Sequence, residues 1–114
     1  MDELKIQRIL RKFCAERDWE KFHTLKNIAS ALSVEASELL EIFQWMEEEP
    51  DLDKDIKVKE KISEEVADIM LYLLRFSDLA QINLENACRK KIEKNKKKYP
   101  IRLAKGKSTK YNEF

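Results

Sequence analysis

One glycine in 114 residues is the strongest constraint on this chain. Beside Gly106 stand only two prolines, Pro50 and Pro100. Sandwiches and barrels need many tight turns, and tight turns draw on Gly and Pro. A chain this poor in both folds as long helices with short connections. It is also 43% hydrophobic and 39% charged, which suits amphipathic helices with a solvated face. The length is that of one domain, or of one subunit in a larger assembly, so residues 1–114 are read as a single unit.

Periodicity locates the helices. Residues 3–17 carry Ile6, Ile9, Leu10, Phe13 and Cys14 on one stripe. The segment Asp18-Trp19-Glu20-Lys21-Phe22-His23 breaks that pattern, and Thr24 then caps a helix running to about Glu49, before Pro50. Its stripe is Ile28, Leu32, position 35, Leu39, Ile42 and Met46, in steps of 4 and 3. An acidic loop over Glu47–Asp55 leads to a third helix at about 57–80. There Val58, Ile62, position 65, Ile69, Tyr72 and Phe76 repeat the same steps. A fourth helix runs from near Asn83 to Tyr99-Pro100, and residues 101–114 read as an extended basic tail. The fold class is therefore all-α, a bundle of about four helices. The second and third helices are apolar over wide arcs (Leu39, Leu40, Ile42, Phe43; Ile69, Met70, Leu71, Leu73, Leu74), more than one bundle covers. A homodimer or larger assembly through these central helices follows.

Several classes are excluded. No apolar run reaches membrane-span length, and the N-terminus MDELKIQRIL lacks a signal-peptide core, so a soluble, cytoplasmic protein is expected. Cys14 and Cys88 are too few for a disulfide framework and read as small core residues with free thiols. The net charge of +1 hides a division. Residues 1–88 hold 12 Lys and Arg against 20 Asp and Glu (−8), and residues 89–114 hold 11 against 2 (+9). The basic quarter either meets a polyanion or is neutralised within a fold or an oligomer.

The two stripes share an anomaly. Position 35 is Glu with Glu38 three residues on, and position 65 is Glu with Asp68 three residues on. Side chains three apart on a helix share a face. Burial of unpaired carboxylates is costly, so two such pairs at the centres of apolar stripes call for a cation. An oxygen-only set suits Mg²⁺, with Mn²⁺ as the alternative, rather than Zn²⁺. A ferritin-like di-iron site needs Glu-x-x-His, and His23, the sole histidine, lies outside both helices. Mg²⁺ held by carboxylates keeps positions open for phosphate oxygens, which points to a phosphate-bearing small substrate.

Aromatic and polar residues supply the remaining parts. Trp45 lies seven residues after Glu38, and Tyr72 seven after Glu65, so both border the carboxylates and can stack on a base or sugar. Trp19 and Phe22 complete a base pocket from the first loop, while His23 reads as a structural loop residue. Lys91 and Asn95, at i and i+4, are placed to hold phosphate oxygens; most of the run around them reads as a solvated face. Gly106-Lys107-Ser108-Thr109 mimics the end of a P-loop, but Ile101 stands where the motif needs glycine and no strand precedes it.

Further segments join these: Ala15-Glu16-Arg17-Asp18-Trp19, Phe22-His23, Val34-Glu35-Ala36-Ser37-Glu38-Leu39, Phe43-Gln44-Trp45, Glu64-Glu65-Val66-Ala67-Asp68-Ile69, Asn95 to Tyr99-Pro100, and Ser108-Thr109-Lys110-Tyr111. Over nearly its whole length the chain thereby resembles the MazG-like nucleotide pyrophosphohydrolases, in particular their small dCTP pyrophosphatase branch. That family's metal motif is EExxE followed by ExxD. Glu35 and Glu38 match its last two glutamates, Glu65 and Asp68 match ExxD, and Val34 replaces the first glutamate. The resemblance implies an all-α, dimeric or tetrameric enzyme that cleaves a deoxynucleoside triphosphate, dCTP-like, to monophosphate and pyrophosphate with Mg²⁺, in nucleotide-pool cleaning. It implies Glu35, Glu38, Glu65 and Asp68 as metal ligands, with Glu38 positioning the attacking water. Trp19, Trp45 and Tyr72 would line the base and sugar pocket, and Lys91 and Asn95 would touch phosphates. A histidine of close relatives that reads the base is matched here by Leu10, which implies a broader or different base preference. The rival reading is a non-enzymatic helical nucleic-acid-binding or adaptor protein using the basic quarter. It leaves the carboxylates unexplained, so no stable nucleic-acid partner is expected.

Overall fold

Each long helix begins at a side chain that accepts its first free N–H groups. Asp2 accepts from Lys5 N and opens α1 (Glu3–Glu16). Thr24 accepts from Asn27 N and opens α2 (Leu25–Phe43). Asp55 accepts from Val58 N before α3 (Ile56–Leu79), and Asn83 from Asn86 N before α4 (Leu84–Lys98). Such caps satisfy donors that have no partner within the helix. A short 3-10 turn at Glu20–Phe22 and a single helical turn, α5 (Ile101–Ala104), complete the elements. The computed structural model describes residues 1–108, and no strand occurs among them. Residues 109–114, the far end of the expected tail, lie outside the described part.

The chain divides into two compact units after Gln81. The first holds α1, α2 and α3; the second holds α4 and α5. Within the first, α2 packs along α3, and α1 lies against α3. Ile28 of α2, Leu74 of α3 and Cys14 of α1 are its buried apolar side chains. Complete burial of Leu74 or Ile28 contributes roughly 1.5–3 kcal/mol each. The stripe residues around the carboxylates, Leu32, Leu39, Ile42, Ile62 and Ile69, are half-buried. The outer faces stay bare: Leu40 is 67% exposed and Val34 56%.

Polar side chains tie α1 to α3. The buried Gln7 donates from Nε2 to the Leu74 carbonyl at 2.9 Å. Arg11 donates to both Asp78 oxygens at 2.6 Å, and the guanidinium of buried Arg75 lies 3.9 Å from the same carboxylate. Arg11 is half-exposed and its ion pair is screened by solvent, so Arg11→Ala should lower stability only slightly. Asp78→Ala also strips the carboxylate paired with the buried Arg75, and should cost about 3 kcal/mol. Urea unfolding of both variants measures this; equal losses would show that Arg75 does not rely on Asp78.

Three sequence expectations are corrected here. The second helix stops at Phe43, six residues before Glu49. Pro50 constrains only its neighbour, whereas Glu47-Glu48-Glu49 would set three negative charges at the negative end of the helix dipole. Met46, expected on the stripe, therefore lies beyond the helix. The tail is not extended throughout, since Leu103 and Ala104 donate to the Pro100 carbonyl and close α5. Cys88 is exposed rather than part of a core, while Cys14 is buried as expected.

Candidate active site

The loop after α1 is built by the helix end itself. Asp18 takes a positive φ of 54°, which Asp tolerates better than most residues. Asp18 N donates to the Ala15 carbonyl and Trp19 N to the Cys14 carbonyl, a paired closure that satisfies the last turn. It swings Trp19 back beside Cys14. The indole meets Phe13 edge to face at 5.5 Å and lies 6.4 Å from the His23 ring. Sequence periodicity signalled a break at Asp18; the return of Trp19 onto its own helix needed the backbone.

The carboxylates converge as their spacing requires. Glu35 and Glu38 on α2 face Glu65 on α3, and one oxygen of each lies within 4.8 Å of the others. Glu35 Oε2 and Glu65 Oε2 are buried without a hydrogen-bond partner. Burial and its acidic neighbours Glu38, Glu65 and Asp68 push the Glu35 carboxyl up to about 7. Glu65 is raised too, chiefly by burial. Asp68 stands outside the trio but close enough to act on Glu35, Glu65 and Tyr72. Burial, then Glu35 and Asp68, raises the Tyr72 phenol. Orphaned acceptors crowded together are a strained arrangement for protons alone, and a hard divalent cation relieves it. The donor set is all oxygen, so these residues fit such an ion.

A cavity of about 230 Å³ opens beside the carboxylates. Glu35 and Asp68 border it, and Tyr72 and Trp19 supply aromatic walls. Leu10, Phe13 and Leu71 make the remainder largely apolar, and His23 and Arg75 also line it. A second, wider groove on the other side of the cluster is bordered by Glu38, Glu41, Glu64, Glu65 and Lys61. Glu35, Asp68, Tyr72 and Trp19 are thus brought together, with Glu38 and Glu65 adjoining. Trp45 is not at the cavity. It lies beyond the end of α2 and is 87% exposed, so the helical spacing from Glu38 does not apply to it. Phe22, expected with Trp19, is exposed and does not line the cavity. Lys91 and Asn95 both sit on α4 of the second unit and are exposed.

The sequence of the MazG-like family matches residues 30–114, three quarters of the chain. The chain belongs to the MazG-like family. Relatives of this MazG-like chain include bovine and human proteins called dCTP pyrophosphatase 1, each 36% identical over 111 residues. The alignments cover 96% of this chain, but it spans only 66% of the bovine and 65% of the human protein. A solved structure of a pyrophosphatase from Archaeoglobus fulgidus superposes with a TM-score of 0.72 at 44% identity, covering 84% of this chain and 90% of that one. The all-α architecture of this MazG-like chain is thereby shared with a solved relative.

The pairing of His23 with Arg75 was missed by sequence reasoning. Arg75 Nε donates to His23 Nδ1 at 3.1 Å, across 52 residues of chain. One signal was available: Arg75 interrupts the apolar run Leu73-Leu74-Arg75-Phe76 near the end of a strong helix. A charge there is rarely left unpaired.

Proposed function

We propose that this chain is a divalent-metal-dependent nucleoside triphosphate pyrophosphohydrolase acting on deoxynucleotides of the dCTP type. The observation that carries this is the pair of buried, unpartnered oxygens of Glu35 and Glu65, set against Glu38 and opening beside an aromatic-walled cavity. The names of the bovine, human and archaeal relatives support the same activity. Glu35, Glu38, Glu65 and Asp68 would hold the metal, Mg²⁺ with Mn²⁺ as the alternative; divalent metals are general in the family. When bound, the metal neutralises triphosphate charge and makes water more acidic.

The chain's own residues do the rest. Trp19 and Tyr72 flank base and sugar along the cavity walls, which Trp45 does not line. Lys91 and Asn95, one helical turn apart on α4, bind phosphate oxygens. Glu38 orients a water for attack at the α-phosphorus and takes its proton. The new oxygen–phosphorus bond forms as the α–β anhydride bond breaks, and pyrophosphate leaves. Tyr72 beneath the sugar leaves no room for a 2′-hydroxyl. The exposed apolar residues Leu40 and Val34 of α2 and Val66 of α3 suit a homodimer or homotetramer.

A panel of NTPs and dNTPs with Mg²⁺, scored for pyrophosphate against orthophosphate, tests the reading. Pyrophosphate release from dCTP is expected. Orthophosphate alone would refute the assignment, and equal turnover of CTP and dCTP would remove the role given to Tyr72.

A further inference from the structure

Besides the carboxylates, a guanidinium and an imidazole line the cavity, those of Arg75 and His23. Arg75 is a buried cation, 6% exposed. Its guanidinium has five N–H donors. Nε–H is spent on His23 Nδ1, and Nη1 stands 3.9 Å from Asp78, beyond hydrogen-bond distance of a carboxylate that accepts from Arg11. The remaining N–H groups have no hydrogen-bond partner among the described residues. Arg75 lines the cavity, so these N–H groups are available to whatever binds there.

His23 is set by the same contact. Its Nδ1 accepts from Arg75, so the single ring proton of the neutral imidazole is on Nε2. Burial and the Arg75 charge hold its pKa below the ordinary histidine value, which keeps this tautomer at neutral pH. Nε2–H has no partner among the described residues. The lining thus carries two neighbouring donor groups, Arg75 and His23, beside the apolar Leu10, Phe13 and Leu71.

We propose that Arg75 and His23 read the nucleobase, and that the matching edge is the adjacent pair of acceptors, O2 and N3, of cytosine. Arg75 contributes a charged N–H to the base and holds His23 in the donating tautomer. Uracil and thymine carry a proton on N3, which sets donor against donor and leaves the wall unsatisfied. Purines meet the same donors with a larger ring in a cavity of about 230 Å³. This inference rests on the nucleotide reading above and adds the residues that choose the base. Discrimination by a built polar site exceeds that of an apolar pocket, because the wrong base strands buried donors.

Two measurements test it. Binding of dCMP and dUMP, followed by Trp19 fluorescence, needs no turnover and so separates this inference from the hydrolase assignment. The unaltered protein should favour dCMP by at least about tenfold, one lost hydrogen bond to a charged donor. Arg75→Met keeps the length of the side chain and removes its donors. It should weaken dCMP about tenfold, leave dUMP nearly unchanged, and reduce the kcat/KM ratio of dCTP to dUTP in step. His23→Phe, outside α3, provides a second variant with the same expected loss of ratio should Arg75→Met fail to fold. A purely structural role would lower both nucleotides together. Equal affinity of the unaltered protein for dCMP and dUMP, or an unchanged ratio in a folded variant, overturns the proposal.

Discussion

Glu38→Gln is expected to remove pyrophosphate release while leaving the helices intact. The substitution keeps the size of the side chain and removes its charge and basicity. Glu38 stands in the trio whose oxygens lie within 4.8 Å of one another, so it is proposed both to hold the ion and to take the proton of the attacking water. Charge stabilisation of this kind is worth several kcal/mol, and each 1.36 kcal/mol is tenfold in rate, so turnover should fall by about a thousandfold or more. Circular dichroism should be unchanged, because Glu38 caps no helix and the core lies at Ile28, Leu74 and Cys14. Near-normal turnover in a folded variant would exclude Glu38 from the chemistry.

Glu35→Gln should separate stability from function in the opposite direction. In the folded, metal-free protein the Glu35 carboxyl is raised from 4.5 to about 7, by burial first and then by its acidic neighbours. An acid raised on folding favours the folded state only while protonated. Its contribution is full below about pH 4.5 and is lost as pH climbs through about 7. In EDTA at pH 8, Glu35→Gln should therefore melt several degrees above the unaltered protein, and the gap should narrow at pH 5. Mg²⁺ should invert the order. An ion at a hundred times its Kd adds about 2.7 kcal/mol to a folded state that alone binds it. About 1 kcal/mol moves Tm by about 4–8 °C in a domain near this size, so the unaltered protein should gain roughly 10 °C or more. Glu35→Gln should gain much less. A variant that melts lower than the unaltered protein in EDTA at both pH values would mean that the orphaned oxygen is not a liability.

These expectations come from residues that were legible in very different degrees. Period located α1, α3 and α4 to within a residue or two, and Thr24 the start of α2, because apolar stripes and a cap act through neighbours in sequence. Pro50 was a poorer guide than Glu47–Glu49, since a proline limits one preceding residue whereas a run of like charge opposes the whole last turn. Misplacing that end put Trp45 on a helical face that it does not occupy. Glu35, Glu38, Glu65 and Asp68 stood out because their type contradicted their pattern, which is a contrast one sequence can display.

What the sequence determined by itself was an all-helical chain with two carboxylate pairs, each on one face of its helix. Spacing of three on a helix settles that without reference to any neighbour. The tertiary structure decided which oxygens are left unpartnered, that Trp19 folds back onto Phe13, and that Arg75 meets His23 across 52 residues. Those depend on how α1, α2 and α3 pack and on the local burial that follows. Hydrogen bonding and desolvation are properties of surroundings assembled from distant parts of the chain, and no local pattern encodes them.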